Sequence, residues 1–193
     1  MGTRDRMLDA AAHVMRTRGM ARATTKEIAK ESGFSEAALY KHFRDKTDLF
    51  LAVLQERAPG NLRALLTGLT DRAGKGELRA VLEEVATEAL DFYTETFPMA
   101  ASVFSEQTLF TAHRDALQER GMGPHAVRAA LAAYLKAEQR AGALDPGADP
   151  ESTAALLLGA CFQSAFLTHF TDAPNPAPAD LVRTLLQPLT PAE

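Results

Sequence analysis

The chain has 193 residues, 46% of them hydrophobic and 24% charged, a formal net charge of −4 and one cysteine, Cys161. That length carries one large or two small domains; the longest nearly unbroken apolar run, Ala154 to Phe162, is far short of the ~18 residues that span a bilayer, and a lone cysteine makes no internal disulfide, so a membrane protein and a disulfide scaffold are excluded and a soluble cytoplasmic protein is expected. The charge is unevenly placed: residues 1–50 hold ten Lys and Arg against seven Asp and Glu, a net +3, and residues 51–193 a net −7, so a basic N-terminal unit can meet a polyanion while an acidic body, screened beyond ~10 Å, stays off it.

The N-terminus, Met1-Gly2-Thr3-Arg4-Asp5-Arg6, opens no apolar signal segment, and Arg6 stands where a myristoylation motif needs Ser or Thr. Met7, Leu8, Ala11, Ala12, Val14 and Met15 then form one apolar stripe, closed by Gly19 at a helix C-terminus. Thr24 with Glu27 three residues on is a capping box ahead of Ile28 and Ala29, and Ser32-Gly33 ends that helix after about two turns. Ser35 caps a third helix carrying Leu39, Tyr40 and Phe43; Asp45 caps a fourth, 45–58, through Leu49, Phe50, Val53 and Leu54, ended by Pro59-Gly60. Further helices are predicted at about 61–73, 77–97, 99–119, 124–141, 150–171 and 178–188, separated by Gly and Pro clusters and by Pro98. Strand alternation is nearly absent, so the fold class is all-α.

Two short helices joined by a glycine-containing turn are the sequence form of a helix-turn-helix. Here the turn is Ser32-Gly33-Phe34-Ser35; Ile28, Ala29 and Leu39 pack the pair, and Phe34 and Phe43 plug into the first helix. The exposed side of the second helix is then Ser35, Glu36, Ala37, Ala38, Lys41 and His42, whose small residues let its start enter a major groove. Glu36-Ala37-Ala38 contains no bidentate donor to guanine; alanine methyls meet thymine methyls, and Glu36 either accepts from cytosine or repels the backbone. DNA shape then contributes to recognition.

From Arg4 to Leu54 the chain resembles the TetR family of regulators, position by position: Ala11-Ala12 and Gly19, Thr25 through Ile28-Ala29, Ser32-Gly33-Phe34-Ser35, Ala38-Leu39-Tyr40-Lys41-His42-Phe43, and Lys46 before Asp48-Leu49-Phe50. The resemblance implies a three-helix DNA-binding domain at 1–50, linked through helix 45–58 to a larger helical ligand-sensing and dimerisation domain at 51–193. It implies a one-component regulator, a repressor, that binds palindromic operator DNA as a homodimer and is released by a small hydrophobic molecule; a constitutive DNA-binding dimer without a ligand is the alternative. By position, Thr24, Thr25, Tyr40, His42 and Lys46 hold phosphates, and Ser35, Glu36, Ala37, Ala38 and Lys41 lie at or near the bases.

In the second half, aromatics gather on three predicted helices that the family fold wraps around a cavity. Phe92, Tyr93, Phe104, Gln107, Phe110, His113, Phe162, Gln163 and Phe166 are the candidate ligand contacts, with Tyr93, Gln107, His113 and Gln163 as polar anchors. Ala155, Leu158, Gly159, Phe162, Leu181, Leu185 and Leu186 resemble the face of the family's dimerising helix pair. No catalytic residue, metal or cofactor is expected: the five histidines have no ligand spacing, no Gly-rich phosphate loop is present, and Cys161 sits in an apolar helix.

Overall fold

The computed structural model of the chain describes residues 2–19, 23–57, 62–119, 121, 123–172 and 174–187. Among these the regular elements are helical: α1 Thr3–Arg18, α2 Thr25–Ser32, α3 Glu36–His42, α4 Lys46–Glu56, α5 Leu62–Thr67, a 3₁₀ turn Leu69–Arg72, α6 Leu78–Phe104, α7 Gln107–Glu119, α8 Pro124–Arg140, α9 Pro150–Leu167 and α10 Pro178–Leu186. No strand occurs among the described residues.

The first four helices begin and end where local chemistry directs. The Thr24 hydroxyl accepts from Glu27 N–H at 3.2 Å, Ser35 from Ala38 N–H at 3.2 Å, and Asp45 from Asp48 N–H at 2.8 Å, each satisfying a donor that a helix start leaves open. The expected box at Thr24 is half made: the Glu27 carboxylate accepts from Arg18 at 2.9 Å through one oxygen, and the other has no hydrogen-bond partner. Gly33 takes φ 75° and ψ 21°, the left-handed conformation that glycine adopts without a Cβ clash, and Phe34 N–H returns to the Ala29 carbonyl at 3.0 Å.

Elsewhere predicted boundaries differ, and the helix predicted at 150–171 already ends at Leu167. Pro98 ends no helix: α6 runs through it, and the break falls at Ser105-Glu106. A proline inside a helix removes one backbone bond, here to the Thr94 carbonyl, yet continuing the helix sets Met99 and Val103, both nearly fully buried, into a core. The predicted helix at 61–73 is instead a short α5 followed by the 3₁₀ turn. Pro59-Gly60, expected to end the fourth helix, lies outside the described residues.

Packing divides the chain into two compact units, Met1–Pro59 with Thr96–Arg120, and Gly60–Glu95 with Gly121–Glu193. This differs from a boundary at residue 50. Helix α4 buries Leu49, Phe50, Ala52 and Val53, more than one face supplies, so it is covered by α1 and also by α7, and Met99, Val103 and Leu109 share its core. In the second unit α8 packs on α9 and on the 3₁₀ turn around a core that includes Leu82, Val85, Tyr134, Leu135 and Leu158. The Gln139 amide donates to the carbonyls of Asp145 and Ala148, both at 2.9 Å, and so holds the turn that leads into α9. Buried Glu138 accepts from Gly74 N–H at 3.3 Å. Cys161, fully buried on α9, sets its sulfur 3.8 Å from the Ala86 carbonyl, and burial pushes its thiol up to about 12.

Candidate nucleic-acid interface

Leu39 and Phe43 turn inward from the α3 segment, 1% and 4% exposed. Their burial fixes what remains outside: Ser35, Glu36, Ala37, Tyr40, Lys41 and His42 are exposed and Ala38 is half-buried. The guanidinium of Arg6 stacks 4.8 Å from the Phe34 ring centre and donates to the Ser32 carbonyl at 3.3 Å, and that of Arg4 stands 5.4 Å from the Phe43 ring, so α1 braces the turn and the end of α3.

Three of the expected DNA contacts touch one another. The Thr25 hydroxyl donates to the Glu36 carboxylate at 2.7 Å, and the Tyr40 hydroxyl donates to Thr25 Oγ1 at 3.5 Å. Thr24 is exposed at the cap of α2. Lys46 opens α4, its ammonium 4.9 Å from the Phe50 ring centre. Sequence reasoning missed Arg44, which lies between Phe43 and Asp45; its side chain is 86% exposed and reaches Asp48 only at 3.5 Å. The legible signal was a cation in the link between two helices that already carry Lys41 and Lys46.

A group of charges ties α1 to the end of α4. Arg4 donates to both oxygens of Glu56, at 2.7 and 2.8 Å, and Arg57 donates to Asp9 at 2.7 Å and Asp5 at 3.1 Å. Hydrogen bonding by Arg57, then by the Gly2 amide, holds the Asp5 carboxyl below its ordinary range, and hydrogen bonding by Arg4 does the same for Glu56.

The candidate ligand contacts fall in both compact units. In one, Tyr93 packs edge-on to Phe162 with ring centres 5.4 Å apart and against Phe92 at 5.6 Å; Phe166 packs on Phe170 at 4.8 Å, and Gln163 is exposed. In the other, Phe104 is 72% exposed and lies 5.3 Å from Phe110, Gln107 is exposed, and half-buried His113 has an Nδ1 without a hydrogen-bond partner. Burial lowers the His113 pKa and raises that of Tyr93. Two surface clefts of about 300 Å³ each lie away from these residues, one walled by Ala132, Lys136, Gln139 and Glu151, the other by Arg6, Asp9, His13 and Glu31.

On α9 the outward stripe is Ala155, Leu156, Gly159 and Phe162, all exposed. Leu156, 64% exposed, was not singled out from the sequence. Leu158 and Leu186 point the other way: the structure places both in the chain's own core, because α8 and α10 cover the inner side of α9. Leu181 and Leu185 are half-buried beside that core.

Residues 7–53 match the family model for bacterial regulatory proteins of the tetR family, and residues 80–187 match the C-terminal domain of AefR-like transcriptional repressors. The uncharacterised HTH-type transcriptional regulator YvkB of Bacillus subtilis is 27% identical over 149 residues, 77% of this chain and 74% of its own. A regulator assigned to the TetR family from Mesorhizobium loti superposes with a TM-score of 0.75 at 20% identity, covering 97% of this chain and 96% of that one. SmeT, the repressor of the Stenotrophomonas maltophilia multidrug efflux pump SmeDEF, superposes with a TM-score of 0.67 at 21% identity over 99% and 92% of the two chains, and is also known in complex with triclosan. The chain, with its helix-turn-helix and its matching C-terminal region, belongs to the TetR family of DNA-binding transcriptional regulators and is not an enzyme.

Proposed function

We propose that this protein is a cytoplasmic repressor that binds palindromic operator DNA as a homodimer and releases it on binding a small, mainly hydrophobic molecule. The observation that carries the reading is the exposed face of α3, held outward by buried Leu39 and Phe43. In a dimer two such faces enter major grooves about one helical turn apart or somewhat more. Residues 1–50 read the DNA, with Thr24, Tyr40, His42 and Lys46 on phosphates and Ser35, Glu36, Ala37, Ala38 and Lys41 at the bases; Arg44 adds a phosphate contact. Residues 51–193 sense the ligand and dimerise through the outward stripe of α9. His113, with its unpartnered Nδ1, is assigned a polar contact to the ligand. SmeT, a repressor solved with triclosan, supports a small organic ligand for this chain as well.

The test is a selection of bound sequences from a random DNA library, repeated with pools of small molecules. Enrichment of a palindrome, lost when one compound is added, is expected. Binding to a palindrome that no ligand of the protein ever weakens would favour the constitutive dimer, and no enrichment at all would overturn the reading.

A further inference from the structure

We propose that Glu36 is a specificity-determining residue that reads the exocyclic amine of cytosine at one fixed position of each half-site, and that Thr25 positions it. The inference rests on the operator-binding reading above and deepens it.

The outward face of α3 offers few groups that distinguish bases. Ala37 and Ala38 bring only methyl groups, and Lys41, a donor, stands with His42 on the last turn of α3, so the base it meets is not the one under the first turn. Glu36, in the first turn, is the ionised group at that end. A free glutamate would be a poor reader, since its carboxylate samples many rotamers, but here it is held by the Thr25 hydroxyl at 2.7 Å, so less order is lost when a base docks. Proton accounting makes the arrangement directional. A threonine hydroxyl has one proton; with Tyr40 donating to Thr25 Oγ1 at 3.5 Å, that proton goes to Glu36. In this arrangement the Thr25 side chain has no donor left for a phosphate, which replaces the phosphate role expected from its position. The Tyr40 contact is at the limit of hydrogen-bond length and is readily exchanged for a phosphate oxygen.

One carboxylate oxygen is thereby engaged and the other is left to accept. In the major groove the exocyclic donors are adenine N6 and cytosine N4, and adenine sets its N7 acceptor beside N6, where it repels a carboxylate; cytosine does not. Against any other base, or displaced toward the backbone, Glu36 meets acceptors and phosphates and weakens binding.

The experiment is sequence selection and titration with the full-length protein and with Glu36→Ala, Glu36→Gln, Thr25→Val and Thr25→Ser. The wild type is expected to enrich a palindrome with cytosine at one fixed place in each half-site. Glu36→Ala should lower discrimination at that place about 10-fold, leave the other positions alone, and bind unrelated DNA more tightly. Glu36→Gln should broaden the same position. Thr25→Val should flatten it in the same direction, and Thr25→Ser, which keeps the hydroxyl, should restore it. If Glu36→Ala leaves every position of the enriched palindrome unchanged, or if Thr25→Ser behaves as Thr25→Val, the proposal is overturned while the repressor reading stands. A wild type that enriches no sequence overturns both.

Discussion

Lys46 stands at the first position of α4 with its ammonium over the Phe50 ring, a placement that steadies the stem and leaves the charge four residues beyond the end of α3. As a phosphate contact it should act on all sequences alike: Lys46→Ala is expected to weaken specific and unrelated DNA by similar factors and to flatten the salt dependence by about one unit of slope. A binding titration with unchanged affinity and slope would remove the assignment. His113 carries a prediction in pH. Burial depresses its folded pKa below the ordinary 6.5, so below that value the unfolded chain takes up a proton that the folded chain resists. Stability is therefore full above about pH 6.5 and declines as pH falls toward the lowered pKa. His113→Gln should remove part of that decline in urea midpoints measured between pH 7 and 5 (about the ordinary histidine range). At this scale the sequence was readable where chemistry is local. Thr24, Ser35 and Asp45 cap as expected because each partner lies three residues on, and Gly33 is left-handed as the turn requires. The Thr25–Glu36 bond was not readable, since it joins two helix starts across a turn and depends on their angle.

Among elements, the join between α1 and the end of α4 is carried by Arg4, Arg57 and their three carboxylates. Removing Arg57 is expected to lower the melting temperature at neutral pH. Because arginine hydrogen bonds hold Asp5 and Glu56 below the ordinary carboxylate range, their contribution is complete above that range and is lost as pH falls through the lowered values. The gap between wild type and Arg57→Ala should close as the solution is acidified and should narrow in high salt. A gap independent of both would show that Arg57 acts by packing its stem. Helix α6 marks the limit of reading punctuation: Pro98 is a breaker by local rule, but burial of Met99 and Val103 beyond it outweighs one lost backbone bond. Composition cannot weigh that balance, because the core that takes in Met99 and Val103 is built largely from residues of α1 to α4, far away in the chain.

For the whole molecule, the fold class and the family were legible and the division of the chain by packing was not. Nothing near residue 96 announces that the segment to residue 120 packs with the first 59 residues rather than with its neighbours. The proposed dimerisation through α9 predicts two different outcomes for adjacent-looking substitutions. Leu156→Asp, on the exposed stripe, should give a folded monomer by sedimentation; Leu158→Asp, 7% exposed in the chain's own core, should unfold it. A folded Leu156→Asp dimer at micromolar concentration would place the interface elsewhere. The seal around Cys161 has a practical corollary for watching such a dimer work. The chain has one cysteine, fully buried and with a thiol pushed up to about 12, so the native protein should be silent to maleimides at neutral pH and label only in denaturant. A reporter thiol introduced by His42→Cys would then carry the only spin label on each subunit, with no native cysteine to remove first. In the proposed dimer, one interlabel distance would follow the spacing of the two α3 helices as small molecules are added.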